Sequence, residues 1–131
     1  MFRLASGKQF VSKFTAPNPY TDWVPVIRWP EVLLNLAEAR VRSTNTVDAQ
    51  ALLLLNAVRQ RSDATTVLAP ANVADFTTAL LNERRIEFLG EGLRAPDLTR
   101  LLLPIPGKGG APEKDLLNLV ISGQFLLTNC R

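Results

Sequence analysis

Asn82–Arg100 reads NERRIEFLGEGLRAPDLTR, and the organisation of the chain turns on it. Glu83, Arg84, Arg85, Glu87, Glu91, Arg94, Asp97 and Arg100 crowd into a segment whose alanine, leucine and isoleucine positions otherwise give a helix a core face. Glu83, Arg84, Glu87 and Glu91 recur three or four residues apart, which stacks them on one side of that helix. Gly90 and Gly92 stop it, and Pro96 and Asp97 open a further turn. A solvated helix needs no such density of opposed charge followed by two glycines; a helix docked end-on against another charged element does. An unpaired buried charge costs about 3–5 kcal/mol. Glu83, Arg84, Glu87, Glu91, Arg94, Asp97 and Arg100 are therefore read as a structural charge network that fixes how two elements dock. The competing reading, a carboxylate pair for glycoside hydrolysis, meets the spacing of about 5–10 Å that such chemistry needs. It lacks the apolar pocket that would keep one acid protonated, so no catalytic residue is assigned.

Working outward, Asn72 is expected to cap the helix that carries this motif, which runs to about Leu89. Phe76, Leu80, Glu83 and Glu87 form one row of it, and Leu81, Arg84 and Phe88 the next. Upstream, a first helix is predicted from Val26 or Pro30 to Ser43, with Pro30 tolerated in the first turn. Its stripe is Val32, Leu33, Leu36, Ala37 and Arg40, and Trp29 is read as core. A second helix is predicted over Val47–Arg61, capped by Thr46, with Val47, Ala51, Leu54, Leu55 and Val58 as its apolar repeat and Arg59 and Arg61 against its negative end. Two helices joined by so short a loop lie antiparallel. A short helix is predicted at Pro96–Leu102. Met1–Val26 reads as extended or irregular, with a short strand at Gln9–Phe14. PIPGKGGAPEKD is a loop, and Leu116–Arg131 is strand or irregular, apolar enough to aggregate unless it finds a groove.

The composition narrows the function. With 131 residues, 47% hydrophobic and 21% charged, the chain has the size and make-up of a single globular domain. Net charge is +3, and the basic residues are scattered rather than clustered, which argues against nucleic acid. Histidine is absent, which removes the usual general base and the commonest metal ligand; no metal and no cofactor is expected. Cys130 is the sole cysteine and is read as an incidental thiol. No apolar run is long enough to span a membrane.

Three blocks carry a resemblance. The ExRRIEF–xGEG–xR–xxDLxR pattern of Glu83–Arg100 resembles the C-terminal signature of the SusD/RagB family of nutrient-binding outer-membrane lipoproteins. Ile27–Arg40 (IRWPEVLLNLAEAR) is similar to that family's other hallmark helix, and Leu55–Arg61 (LNAVRQR) to the helix between them. Order and spacing agree from roughly Ser12 to Pro106. The resemblance implies a mainly α fold of tetratricopeptide-like helical hairpins with irregular N- and C-terminal segments. It implies one domain over residues 1–131, with a helical core at 26–103 and an irregular tail at 104–131. It further implies binding of a glycan or other oligomeric nutrient, delivery without catalysis to a TonB-dependent SusC-like transporter, and an outer-membrane, cell-surface location. Family members are longer, exported and lipidated at an N-terminal cysteine, so this chain resembles the C-terminal part of such a protein.

Sugars stack their C–H faces on amphipathic aromatics while nearby polar groups fix the hydroxyls. Tyr20 and Trp23 flank Asp22 in a loop and are the candidate ligand contacts. Core packing or docking against absent segments is their weightier alternative, because the resembling family's glycan-contacting aromatics lie mostly upstream of the matched part. Two further readings stay open: a free-standing tetratricopeptide-like interaction module, and self-association through helix faces left uncovered.

Overall fold

A computed structural model describes residues 2–5, 7–11, 13, 19 and 21–106. The described part is mainly α: helices α1 (Trp29–Thr44), α2 (Ala49–Ser62), α3 (Val73–Glu87) and α4 (Arg94–Arg100) follow a short hairpin of β1 (Phe2–Ala5) and β2 (Lys8–Val11). The chain forms two compact units, Met1–Gly90 and Glu91–Arg131.

In the first unit the hairpin pairs antiparallel, with Phe2 opposite Val11 and Ala5 opposite Lys8. Gly7 sits in its tight turn at φ +71, a conformation that favours glycine. The expected strand at Gln9–Phe14 thus begins a residue earlier and ends at Val11. Its partner was invisible to local periodicity, because a hairpin is fixed by its turn as much as by its alternation.

Helix α1 begins at Trp29 with Pro30 in its first turn, where a missing N–H costs nothing. It ends where Asn45 adopts a left-handed conformation, φ 51, which asparagine tolerates better than most residues. Its core face is Leu34, Ala37 and Val41, spaced i, i+3, i+7. The expected stripe is corrected here: Ala37 is buried, but Val32 and Leu36 are 42% and 48% exposed. Trp29, expected in the core, is 70% exposed. Both leucine rows have helical spacing, and the packing of α2 and α3 chose Leu34.

Helix α2 buries Ala51, Leu54, Leu55 and Val58, four of the five positions expected; Val47 precedes the helix. Its cap is Asp48, not Thr46. The Asp48 carboxylate accepts from the Ala51 N–H at 2.6 Å and from the Arg40 guanidinium at 2.7 Å. A carboxylate at a helix N-terminus gains from the dipole as well as the hydrogen bond, which a hydroxyl does not. The Thr46 hydroxyl turns back to Thr44. Helix α1 packs chiefly on α2 and also on α3, so the short Asn45–Asp48 connection makes an antiparallel hairpin. Asn56 of α2 holds the connection to α3: its amide donates to the Leu68 carbonyl at 2.8 Å and accepts from the Leu68 N–H at 2.7 Å.

Helix α3 is capped by Asn72, which accepts from the Asp75 N–H at 2.9 Å. Phe76, Leu80, Leu81, Glu83, Arg84 and Glu87 are all buried along it, as is Phe88 just beyond. Gly90 and Gly92 follow, both at φ +80.

In the second unit α4 occupies Arg94–Arg100, shifted from the expected Pro96–Leu102. Its end is closed by two bonds. The Leu103 N–H donates to the Leu98 carbonyl at 2.9 Å and the Leu102 N–H to the Thr99 carbonyl at 3.1 Å. This pattern forces Leu102 into the left-handed region at φ 53, where a Cβ crowds the following carbonyl. Leu116–Arg131, expected as strand or irregular, lies outside the described residues. Leu102 is half exposed, so replacing it with glycine is expected to raise stability by about 1 kcal/mol, read from urea melts of the two proteins side by side.

Candidate functional site

Glu87, the last residue of α3, gathers the ends of all three helices of the first unit. The Arg28 guanidinium, just before α1, donates to the Glu87 carboxylate at 2.7 Å and to the Glu87 main-chain carbonyl at 2.9 Å. That carbonyl is one of the acceptors a helix leaves unsatisfied at its C-terminus, where a cation is favoured. Arg61, in the last turn of α2, reaches both oxygens of the same carboxylate. Glu87 is buried, Arg28 partly so, and Arg61 more than half exposed. Arg28 and Arg84 both lie against the Phe88 ring, at 5.2 and 5.4 Å from its centre, close enough for cation–π attraction. Arg84 also donates to the Asn35 side chain on α1 at 2.7 Å. The Lys13 ammonium reaches the Leu89 carbonyl at 3.4 Å.

One turn back along α3, Glu83 is buried beside Arg59 of α2, at 3.7 Å. Arg59 is shared with Asp63, at 3.1 Å, and its Nε lies buried without a hydrogen-bond partner. Burial pushes the Glu83 carboxyl above its ordinary value; Arg59 opposes that shift and Glu87 adds to it. Asp63 is driven the other way, well below the usual carboxylate range, by hydrogen bonds from Thr66 and Thr65, with Arg59 assisting. Asp48 is likewise lowered, chiefly by its bond to Arg40.

The residues expected to form the charge network divide between the two units. Glu83, Arg84 and Glu87 lie buried in the first, and their partners are Arg59, Asn35, Arg28 and Arg61, which sequence neighbours did not indicate. Within the second unit Asp97 is buried and accepts from Arg100 at 3.1 Å; Glu91 and Arg94 are half-buried. The pairing of Arg28 with Glu87 was missed, although Arg28 lies in the Ile27–Arg40 block that carries the resemblance. Its one sequence signal is the missing side-chain cap at the α1 start, where the position is held by a cation turned toward another helix.

Of the candidate ligand contacts, Tyr20 lies outside the described residues. Asp22 is exposed, and Trp23 is 91% exposed. Trp23 is therefore not packed in the core of the described residues. On the far side of α3, Arg59, Leu68, Thr78, Asn82, Glu83 and Ile86 border an open groove of about 460 Å³, a volume within the range of small-ligand sites. Among the described residues, no cluster of three or more histidine, cysteine, aspartate or glutamate side chains could hold a metal ion, and no helix is long and apolar enough to cross a membrane.

Residues 7–116 match the model of the SusD family, so the chain belongs to the SusD family. That family consists of glycan- and nutrient-binding proteins associated with uptake, generally non-catalytic. Its members work with SusC-like transporters and are outer-membrane, cell-surface lipoproteins. No curated protein and no solved structure matches the chain.

Removing the Glu87 carboxylate takes away an acceptor that Arg28 and Arg61 share. Glu87→Ala is expected to cost about 3 kcal/mol, measured by chemical denaturation. A loss within the range of ordinary surface changes would show that the clamp carries no weight. Glu83 behaves oppositely. Because its folded pKa lies above the ordinary 4.5, the native state takes up the proton first as pH falls. Its ionised form thus costs stability above the folded pKa, and that cost is relieved as pH drops toward 4.5. Asp48 and Asp63 stabilise the fold above their ordinary 3.8 and lose that contribution at lower pH. Wild type should therefore gain stability on mild acidification before losing it below about 3.8. Glu83→Gln should remove the gain and leave the later loss, as followed by thermal melts across pH.

Proposed function

We propose that this chain is the C-terminal part of a SusD-type protein that captures a glycan or other oligomeric nutrient at the cell surface and hands it to a TonB-dependent SusC-like transporter. The step is capture, not chemistry. Membership of the SusD family supports this reading, and the arginine-bound state of Glu87 is in keeping with a holding role for the acidic residues. Residues 26–103 are read as the helical part of a SusD-like domain, and 104–131 as its tail. Glu83, Arg84 and Glu87 hold the helices of the first unit, and Glu91, Arg94, Asp97 and Arg100 serve the same structural role within the second.

The observation that carries the ligand assignment is the exposure of Trp23, an indole held out in solvent next to the exposed carboxylate of Asp22. An exposed indole offers a flat apolar face for stacking. A sugar ring fits: its axial C–H groups lie on the indole face while a hydroxyl donates to Asp22. Tyr20, three residues before Trp23 in the sequence, is the second candidate aromatic.

Calorimetric titration with a panel of neutral oligosaccharides tests this. At least one member should bind, and Trp23→Ala should weaken it by about tenfold without moving the thermal melt. Affinity unchanged in Trp23→Ala would exclude this residue as the contact, and a panel that nowhere binds would remove glycan capture from this part of the protein.

A further inference from the structure

Two glutamates one turn apart on α3 are buried to the same degree and paired very differently. The Glu83 side chain is 4% exposed and that of Glu87 5%. Glu87 receives two arginines. Glu83 has the Arg59 guanidinium at 3.7 Å, too far for a hydrogen bond, and accepts none from any other described residue. Arg59 is drawn at the same time to Asp63, at 3.1 Å. Burial raises the proton affinity of Glu83, Arg59 opposes that and Glu87 adds to it, the state of a carboxylate short of counter-charge. Neither Glu83 oxygen is both sealed and unpartnered, so each keeps an open side. That side is the groove of about 460 Å³, which Glu83 borders together with Arg59, Asp75 and the apolar Leu68, Ala79 and Ile86.

We propose that this groove binds a linear aliphatic polyamine, with one ammonium on Glu83, another on Asp75 and the methylene stem along Leu68, Ala79 and Ile86. Charge selects a cation. Glu83 and Asp75 face the groove against Arg59 alone, and Arg59 is itself shared with Asp63. An apolar occupant would seal an ionised carboxylate without a donor, and an anion would be repelled by it. An ammonium is compact and carries three donors, so it can join Arg59 on Glu83 as Arg61 joins Arg28 on Glu87. Span then selects the length. Asp75 and Glu83 are separated by two turns of α3, about 12 Å along its axis. The outer nitrogens of extended spermidine stand about 11 Å apart, from ordinary C–C and C–N bond lengths and angles. A single lysine side chain from another stretch of polypeptide has one ammonium and reaches one of the two acids. Asp75 is exposed and accepts from the Asn72 amide at 2.8 Å, which leaves it acceptor capacity for a second donor. The net charge of the chain is +3, so attraction of a polycation is a property of this groove and not of the protein at large. The contact uses neither Asp22 nor Trp23 and does not depend on glycan capture.

Calorimetric titration of the full chain with spermidine, at neutral pH and low ionic strength, reads the result directly. Wild type should take up one spermidine per chain. Glu83→Gln keeps the shape and removes the charge; it should weaken binding by about thirtyfold. Asp75→Asn, at the exposed end, should weaken it by about threefold. Both should keep the helical circular dichroism of wild type. Glu31→Gln, an acid of α1 that does not border the groove, should leave the affinity as it is. Lysine blocked at both its amino and carboxyl ends, with its one ammonium, should bind at least about tenfold more weakly than spermidine. A wild type that takes up no spermidine overturns the proposal, as does binding that Glu83→Gln leaves unchanged. If Glu83→Gln loses its helical signal, Asp75→Asn decides, and unchanged affinity there overturns the proposal as well. Blocked lysine binding as tightly as spermidine also overturns it, and would assign the groove to a lysine of another polypeptide segment.

Discussion

Everything in the three-helix unit depends on one carboxylate being paired from two directions. Glu87 sits where α3 ends, and the start of α1 and the end of α2 each send it an arginine. A lone buried carboxylate at the C-terminal end of a helix would be opposed twice, by desolvation and by the negative pole of the dipole. Two guanidinium groups reverse both terms, and one of them also satisfies the terminal carbonyl. Their geometry is directional in a way apolar packing is not. Leucine layers permit one helix to slide on another by a fraction of a turn, whereas Arg28 must reach a carboxylate and a carbonyl of the same residue. The clamp therefore specifies register, while Leu34, Leu55, Phe76 and Leu80 supply the greater part of the driving force.

The neighbouring acid shows why two glutamates one turn apart differ in character. Glu83 has a single arginine, at a distance too long for a good hydrogen bond, and that arginine is shared with Asp63. Burial without full compensation raises its proton affinity. Glu83 is thus the residue at which the docking of α3 on α2 is incompletely satisfied, and it lies at the border of the open groove.

Helix α3 was readable in the sequence because two independent signals agree there: Asn72 as cap, and two adjacent rows at helical spacing that the structure buries. Helix α2 was nearly as clear. The α1 face was misjudged for a physical reason. VLLNLAEA offers apolar residues on more than one side, and only tertiary packing decides which side is inward; Leu34 and Val41 won over Val32 and Leu36. Trp29 was placed in the core because the resembling family carries an aromatic at that point of its hallmark helix, yet it is 70% exposed. In the first unit the buried acids were legible in the sequence, whereas the arginines that pair with Glu87 were not. Glu83 and Glu87 announce themselves by being charged within an apolar row, but Arg28 is 59 positions from Glu87, and no local rule connects residues so far apart. The family motif, which spans those segments at once, reached further than periodicity did.

Asn56 has a consequence for the crossing between α2 and α3. By engaging both the N–H and the carbonyl of Leu68, a single side-chain amide imitates one rung of a β-ladder and fastens the midpoint of an otherwise coil-like connector. The loop is thereby divided into two short spans, each with little slack. Lengthening it on either side of Leu68 would leave that rung in place and bulge outward, whereas losing the amide would merge both spans into one long tether. The amide hydrogen of Leu68 should accordingly exchange with deuterium on the timescale of helix opening and not of loop motion.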